Sequence, residues 1–203
     1  MNYSRGSEWR KWNLHIHTPG TALNDQFAGA SEEDKWANYL QAIEAIQDVA
    51  VLGVTDYFSI ASFRKLKTFQ DQGRIANFAL LPNVELRILP ATGNAHAINI
   101  HVIFSPEVVD LLDSQFFQAL TFTFDNNSYR CTRPDLIRLG RDFHHDQQKE
   151  ENAAYEAGVN QFKVAFGELR KVLRENKNLR HKFLVAVPNG SQDGNSGLQD
   201  ASL

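Results

Sequence analysis

Two histidines stand two positions apart in the stretch KWNLHIHTPG, residues 11–20. Side chains alternate across a β-strand, so His15 and His17 share one side while Leu14 and Ile16 take the other. Two imidazoles converging at a strand end present nitrogen ligands to a borderline ion such as Zn²⁺, Mn²⁺ or Fe²⁺. A half-exposed strand with two solvated histidines would read the same way, and the pair alone does not choose between the two. Three further segments weigh on the choice: Asp56 follows VAVLGVT, Glu85 follows FALLPNV, and His101 lies within AINIHVIF. In parallel α/β folds, ligands and catalytic groups gather at the C-terminal ends of strands. Four strands would then offer three histidines and two carboxylates to one pocket. Such groups are costly to bury unless paired or bound to an ion, which favours a shared metal cluster.

The elements that must position these residues follow from periodicity. WNLHIH reads as a strand ended by Thr18, Pro19 and Gly20. SEEDKWANYLQAIEAIQ reads as an amphipathic helix, with Ser31 as N-cap, acids in the first turn, and Trp36, Leu40, Ile43 and Ile46 at helical spacing. VAVLGVTD is short and β-branched enough for a strand buried on both faces. A second helix, about 59–72, carries Phe63, Leu66 and Phe69 and finishes at Gly73. FALLPNVEL and AINIHVIF are the third and fourth strand candidates. Strand, helix, strand, helix, strand is the order that builds a parallel sheet or barrel. Beyond Phe104, SPEVVDLLDSQF begins like a helix, LTFTF alternates like a strand, and DNNS is a turn. Thr132 and Pro134 open a helix to about His145, and a charged helix or helix pair runs from about Lys149 to Arg180 with Phe162, Ala165, Phe166, Leu169 and Leu173 as its apolar stripe. KFLVAV reads as a fifth buried strand, followed by a turn-forming tail.

Composition excludes several classes. The chain has 203 residues, 42% hydrophobic, and 21 Lys plus Arg against 24 Asp plus Glu for a net charge of -3. That is an ordinary globular composition with no overall field drawing it to nucleic acid or membrane, so a phosphate-bearing partner must be gripped locally. A single cysteine, Cys131, cannot form an internal disulfide, and MNYSRGSEWRKW lacks the apolar core of a signal peptide. The expected compartment is the cytoplasm, with no membrane partner, since the apolar runs are far short of the roughly 20 residues a spanning helix needs. There is no GxxxxGK[ST] phosphate loop, so the chain by itself is not a P-loop ATPase.

LHIHTPG, GVTDY, LPNVEL and IHVIF, in this order and at these separations, resemble the successive motifs of the PHP (polymerase and histidinol phosphatase) superfamily over roughly residues 11–104. More narrowly, WRKWNLHIHTPGT, GVTDYFSI and FLVAVPNGSQDGNSG resemble the N-terminal PHP domain of TrlF-type proteins. The resemblance implies an α/β fold, a distorted (β/α)7 TIM-like barrel, left incomplete at Leu203. In that frame residues 1–125 form the metal-binding half, 126–182 a helical insertion, and 183–203 a fifth strand and tail. It implies a hydrolase, a metal-dependent phosphoesterase with nuclease-like action on nucleic-acid phosphodiesters. His15 and His17 would hold a first divalent ion (Mn, Zn or Fe), Glu85 would bridge to a second, His101 would ligate the second, and Asp56 and Glu85 would serve catalysis. Two metals would lower the pKa of a bridging water and hold the phosphate oxygens, so that hydroxide attacks phosphorus. The implied partners are an AAA-like or SMC-like ATPase, in the same longer product or in trans, and nucleic acid; the implied setting is antiviral defence.

The sequence departs from the family at Tyr57, where histidine is usual, and at Val187, which cannot coordinate. The final Asp-x-His motif has no counterpart before Leu203. A phenol is a poor ligand unless ionised, which puts a third metal in doubt. These departures define the rival reading, a catalytically degenerate PHP module that docks onto or regulates an ATPase or senses nucleic acid. His144 and His145, adjacent on a helix, read as surface residues, and His96 in GNAHA as a solvated residue. The basic run Arg170, Lys171, Arg174, Lys177, Arg180, His181 and Lys182 reads as a solvated helix face laced with Glu168 and Glu175, as against a phosphate-binding surface. Cys131 reads as structural.

Overall fold

The computed structural model describes residues 9–23, 25–89 and 97–187. The chain is mixed α/β and divides into two compact units between Asn83 and Val84. The first unit holds β1 (Lys11–Ile16), α1 (Glu32–Glu44), β2 (Val49–Tyr57), α2 (Ala61–Asp71) and the start of β3 (Ala79–Leu89). The second holds the remainder of β3, then β4 (Ile98–Phe104), α3 (Val109–Gln115), the hairpin β5 (Thr121–Phe124) and β6 (Asn127–Arg130), α4 (Arg133–His144), α5 (Glu151–Gln161), β7 (Val164–Ala165), α6 (Phe166–Glu175) and β8 (Phe183–Ala186). Strand order is β1-β2-β3-β4-β8, with β7 paired to β3 off that path.

The helix signals act as expected. The Ser31 hydroxyl accepts from the Asp34 amide at 3.1 Å, and Trp36, Leu40 and Ile43 form the buried stripe of α1. Gly73, at φ 91°, ends α2 as the left-handed residue. The Gly73 amide donates to Gln70 and the Arg74 amide to Phe69, the two bonds that close a Schellman turn. In the β5–β6 hairpin, Asp125 and Asn126 both take positive φ, as a two-residue type I′ turn requires. Of the helix or helix pair expected over 149–180, the structure has the pair, because the chain leaves α5 to pair Val164 and Ala165 with Ile88 and Leu89.

Two expectations are corrected. The sheet is mixed rather than all-parallel: β1 pairs parallel with β2 and β7 with β3, but β8 runs antiparallel to β4. The chain returns from α6 at the C-terminal end of β4, where the Ser105 amide donates to Lys182 at 2.7 Å, and from that end only an antiparallel course is open. The strand KFLVAV is also not buried. Leu184 is 61% and Val185 48% exposed, because β8 ends the sheet order and has one neighbour among the described residues. His96 and the tail from 188 lie outside the described residues.

In the second unit, α4 and α5 touch through backbone. A Cβ on Gly140 would meet the Ala154 carbonyl oxygen at 1.8 Å, and one on Gly158 would meet that of Leu136 at 1.8 Å. Gly167 in α6 has no atom within 4 Å of the same position. Gly158→Ala therefore destabilises by about 3 kcal/mol through forced separation of the helices. Gly167→Ala instead stabilises by about 1 kcal/mol by restricting the unfolded chain. Chemical denaturation of both variants checks the contrast.

Candidate metal centre

The first histidine pair depends on an irregularity in β1. Asn13 pairs with Leu52 and Ile16 with Val54, so β1 holds one residue more than β2 across this interval and bulges at Leu14–His15. A bulge takes a peptide unit out of the ladder, and its two polar groups need other partners. Both are supplied by asparagine side chains. The His15 amide donates to Asn13 Oδ1 at 3.3 Å, and Asn83 Nδ2 donates to the Leu14 carbonyl at 2.8 Å. The Asn83 amide also donates to Thr55 Oγ1 at 2.9 Å, so one buried side chain ties β3 to β1 and β2. Gly53 makes the bulge possible, since a Cβ there would lie 2.2 Å from the same Leu14 oxygen.

The imidazoles then converge, with His15 Nε2 and His17 Nε2 3.0 Å apart. Adjacent ligand atoms of an octahedral ion with bonds of about 2.1 Å lie about 3 Å apart, so this spacing suits cis ligation. His17 stacks on Tyr57, centroids 5.3 Å apart and planes 17° from parallel. Burial, assisted by neighbouring His15 and opposed by a hydrogen bond with the Thr55 backbone, lowers the His17 pKa to about 4. At neutral pH it is the uncharged, ligating form.

Asp56 has a different immediate task. It is buried, and its Oδ2 accepts from the Ser62 amide at 3.0 Å. Burial pushes its carboxyl above the ordinary range, against hydrogen bonds from Ser62, Ser59 and the Tyr57 amide. The N-cap position of α2 is Ile60, which offers no side-chain acceptor, so Asp56 satisfies the first turn of α2 from the end of β2. Phe58, with φ 52°, makes the turn between them.

In the second unit, Glu85 on β3 and His101 on β4 are both buried. Asn99 Nδ2 donates to Glu85 Oε1 at 2.8 Å, and Asn99 shares a strand face with His101 two residues on. Along β3, Asn83, Glu85 and Arg87 form one polar face. Arg87 Nη1 donates to the carbonyls of Val159 at 3.3 Å and Asn160 at 3.0 Å, closing the end of α5.

His15, Glu85 and His101 each offer a ligand atom and could hold a metal ion. Two imidazoles and a carboxylate form a donor set suited to Mn²⁺, Fe²⁺ or Zn²⁺. Of the residues expected from sequence, these three form the group, His17 stands beside His15, and Asp56 is outside the group with its Oδ2 engaged at α2. Val187 is exposed and apolar. His144 and His145 are exposed at the end of α4, and Cys131 is buried with its thiol pushed up by that burial, a structural residue. Sequence reasoning passed over Asn13, Asn83, Asn99 and Gly53. The available signal was an asparagine two residues from a candidate ligand in each of three strands. No protein-family model matches this sequence, and no curated protein matches it.

Two outcomes follow. Asn83→Leu leaves the Leu14 carbonyl without its donor and lowers stability by about 2 kcal/mol. Metal affinity falls at the same time by about 10- to 100-fold, as loss of a ligand-orienting partner does; denaturant melts and a Mn²⁺ titration read the two effects. Separately, the His17 pKa lies below the unfolded value of 6.5, so between pH 6.5 and about 4 the unfolded chain binds a proton the folded chain refuses. Stability in EDTA therefore falls as pH drops through that window, and His17→Asn makes the fall shallower in thermal melts.

Proposed function

We propose that the chain is a metal-dependent phosphoesterase of the PHP type that hydrolyses phosphodiesters of nucleic acid. The observations that carry the reading are that His15, Glu85 and His101 could hold a metal ion and that the neutral His17 imidazole stands 3.0 Å from His15. The motif order in the sequence and the α/β element order agree with it. Divalent ions bound there supply Lewis acidity, neutralising phosphate charge and lowering the pKa of coordinated water. The chain's residues do the positioning. Asn99 holds Glu85 by one oxygen, the two asparagines at the bulge aim His15, and burial keeps His17 uncharged. Asp56 holds the loop from β2 to α2. On this reading the partner is an AAA-like or SMC-like ATPase, the compartment is the cytoplasm and the setting is antiviral defence, each by analogy with TrlF-type proteins.

A second reading, a PHP module without turnover that docks onto an ATPase, is favoured by one observation. Tyr57 lays its ring on His17 where the family has a further histidine, which reduces the number of metals the site can take. Purified protein stripped with chelator and reloaded with Mn²⁺ is expected to cleave bis-p-nitrophenyl phosphate and a labelled DNA strand. Glu85→Gln and His15→Ala are expected to lose about 100-fold or more, the scale set by removal of a group that acts in the transition state. Stoichiometric Mn²⁺ binding with no cleavage selects the docking module, and cleavage that survives Glu85→Gln contradicts the proposed site.

A further inference from the structure

The basic run is not neutralised as its sequence suggests. Between residues 163 and 182 there are seven Lys or Arg against two Glu, a local charge of +5 on a chain whose net charge is -3. Of the two expected lacing acids, Glu175 stays in the run, exposed and in no ion pair among the described residues, and Glu168 is engaged elsewhere. Glu168 turns to Thr121, accepting from its amide at 3.1 Å and its hydroxyl at 2.6 Å. Among the described residues, Lys182 pairs with Glu107, but Arg170, Lys171, Arg174, Lys177 and Arg180 take part in no ion pair, and all five are exposed. Helix dipole compensation at the C-terminus of α6 accounts only for Arg174.

These cations are arranged on a built surface. Leu169 and Leu173 bury one face of α6. At about 100° per residue, Phe166, Arg170 and Arg174 follow one another at four-residue spacing along a ridge flanking that face, Arg170 and Arg174 one turn, about 6 Å, apart along the axis, while Lys171 lies opposite the buried face beside the exposed Glu175. Phe166 is 51% exposed, and beside it Gly167 leaves open space. The turn after α6 is fixed rather than loose. Asn176 Oδ1 accepts from the amides of Asn178 at 2.9 Å and Leu179 at 3.3 Å, the side-chain amides of Asn176 and Asn178 both donate to Gln115 Oε1, and Leu179 is fully buried. Lys177 and Arg180 are thus presented outward from an ordered turn. Unneutralised cations on an ordered frame with one exposed aromatic ring match the chemistry of a single nucleic-acid strand, whose phosphates take the cations and whose base stacks on the ring. A membrane surface fits less well, because the apolar face of α6 is already buried and only Phe166 could insert.

We propose that α6 and its following turn are a binding surface for single-stranded nucleic acid, with Arg170, Lys171, Arg174, Lys177 and Arg180 on phosphates and Phe166 stacked against a base. As a substrate-holding surface it rests on the phosphoesterase reading and names its substrate. Binding is therefore measured with metal removed, so that a protein that binds strand but cleaves nothing fails only the proposed chemistry.

The test is fluorescence anisotropy of the 203-residue chain with a labelled 20-nucleotide oligo-dT in EDTA, across a salt series. Binding is expected to weaken with salt. In the Arg170→Gln, Lys171→Gln, Arg174→Gln triple variant it is expected to fall tenfold or more at 50 mM salt, with the log–log salt slope reduced by about 2, as loss of three phosphate contacts on a single strand requires. Phe166→Ala is expected to weaken binding about tenfold with the slope unchanged, the mark of lost stacking. The Arg170→Lys, Arg174→Lys variant retains salt-dependent binding, and unchanged thermal melts show that each variant is folded. No binding by the wild type, equal binding by the triple variant, a duplex held as tightly as the single strand, or tighter association with phosphatidylglycerol vesicles than with the oligonucleotide would overturn the proposal.

Discussion

The peptide unit between Leu14 and His15 is the constraint on which the candidate site turns. It stands in a bulge of β1, outside the ladder, and its carbonyl and amide are taken by Asn83 and Asn13. The Leu14 carbonyl is part-buried, so its bond from Asn83 replaces a partner that water supplies less readily, whereas the His15 amide is exposed and Asn13 holds it in place of water. The same carbonyl lies where a side chain at residue 53 would put its Cβ, which restricts that position to glycine. Strand pairing, a buried amide and a missing side chain therefore fix one backbone kink, and the kink aims His15 at the point where His17 also arrives.

Polar groups on buried strands recur through the molecule, each with its own partner. Asn99 holds Glu85, Asp56 closes the first turn of α2, and Arg87 closes the last turn of α5. Asp56 and Arg87 each reach a helix end from a strand, adding to the local bonds that Ser59 makes at the start of α2 and Lys163 at the end of α5. Charge is partitioned in a similar way. Acids and bases elsewhere pair on the surface, as Lys11 does with Asp48 and Arg133 with Glu151, whereas the bases of α6 form no ion pair among the described residues. A chain of net charge -3 thereby keeps one cationic face.

Local signals in the sequence carried much of this. Ser31 with an acid-rich first turn marked the start of α1, Gly73 marked the end of α2, and the period-two placing of His15 and His17 marked a shared destination. Relations between distant residues were not legible. The Asn83 amide and the Leu14 carbonyl are 69 positions apart, and nothing in either neighbourhood announces the other. The alternation argument reached the right convergence without seeing the bulge that produces it. KFLVAV misled because an apolar β-branched run reports a strand and not its neighbours; with one neighbour, β8 stays exposed. The Glu168 pairing misled because helical spacing brings it near the bases while the Thr121 amide and hydroxyl offer it two bonds. Asp56, expected as a ligand by position, is buried and also gives its Oδ2 to a helix terminus, a second task that its position at a strand end did not announce.

The central claim is that His15, Glu85 and His101 hold a divalent ion. Crystals of the chain grown with Mn²⁺, measured on both sides of the manganese absorption edge, test it most directly. The account predicts an anomalous peak about 2.1 Å from an imidazole nitrogen of His15 or His101 and from a Glu85 oxygen, within ordinary ligand distances for such ions. No peak among these three residues, with manganese bound elsewhere on the chain or nowhere, would contradict it.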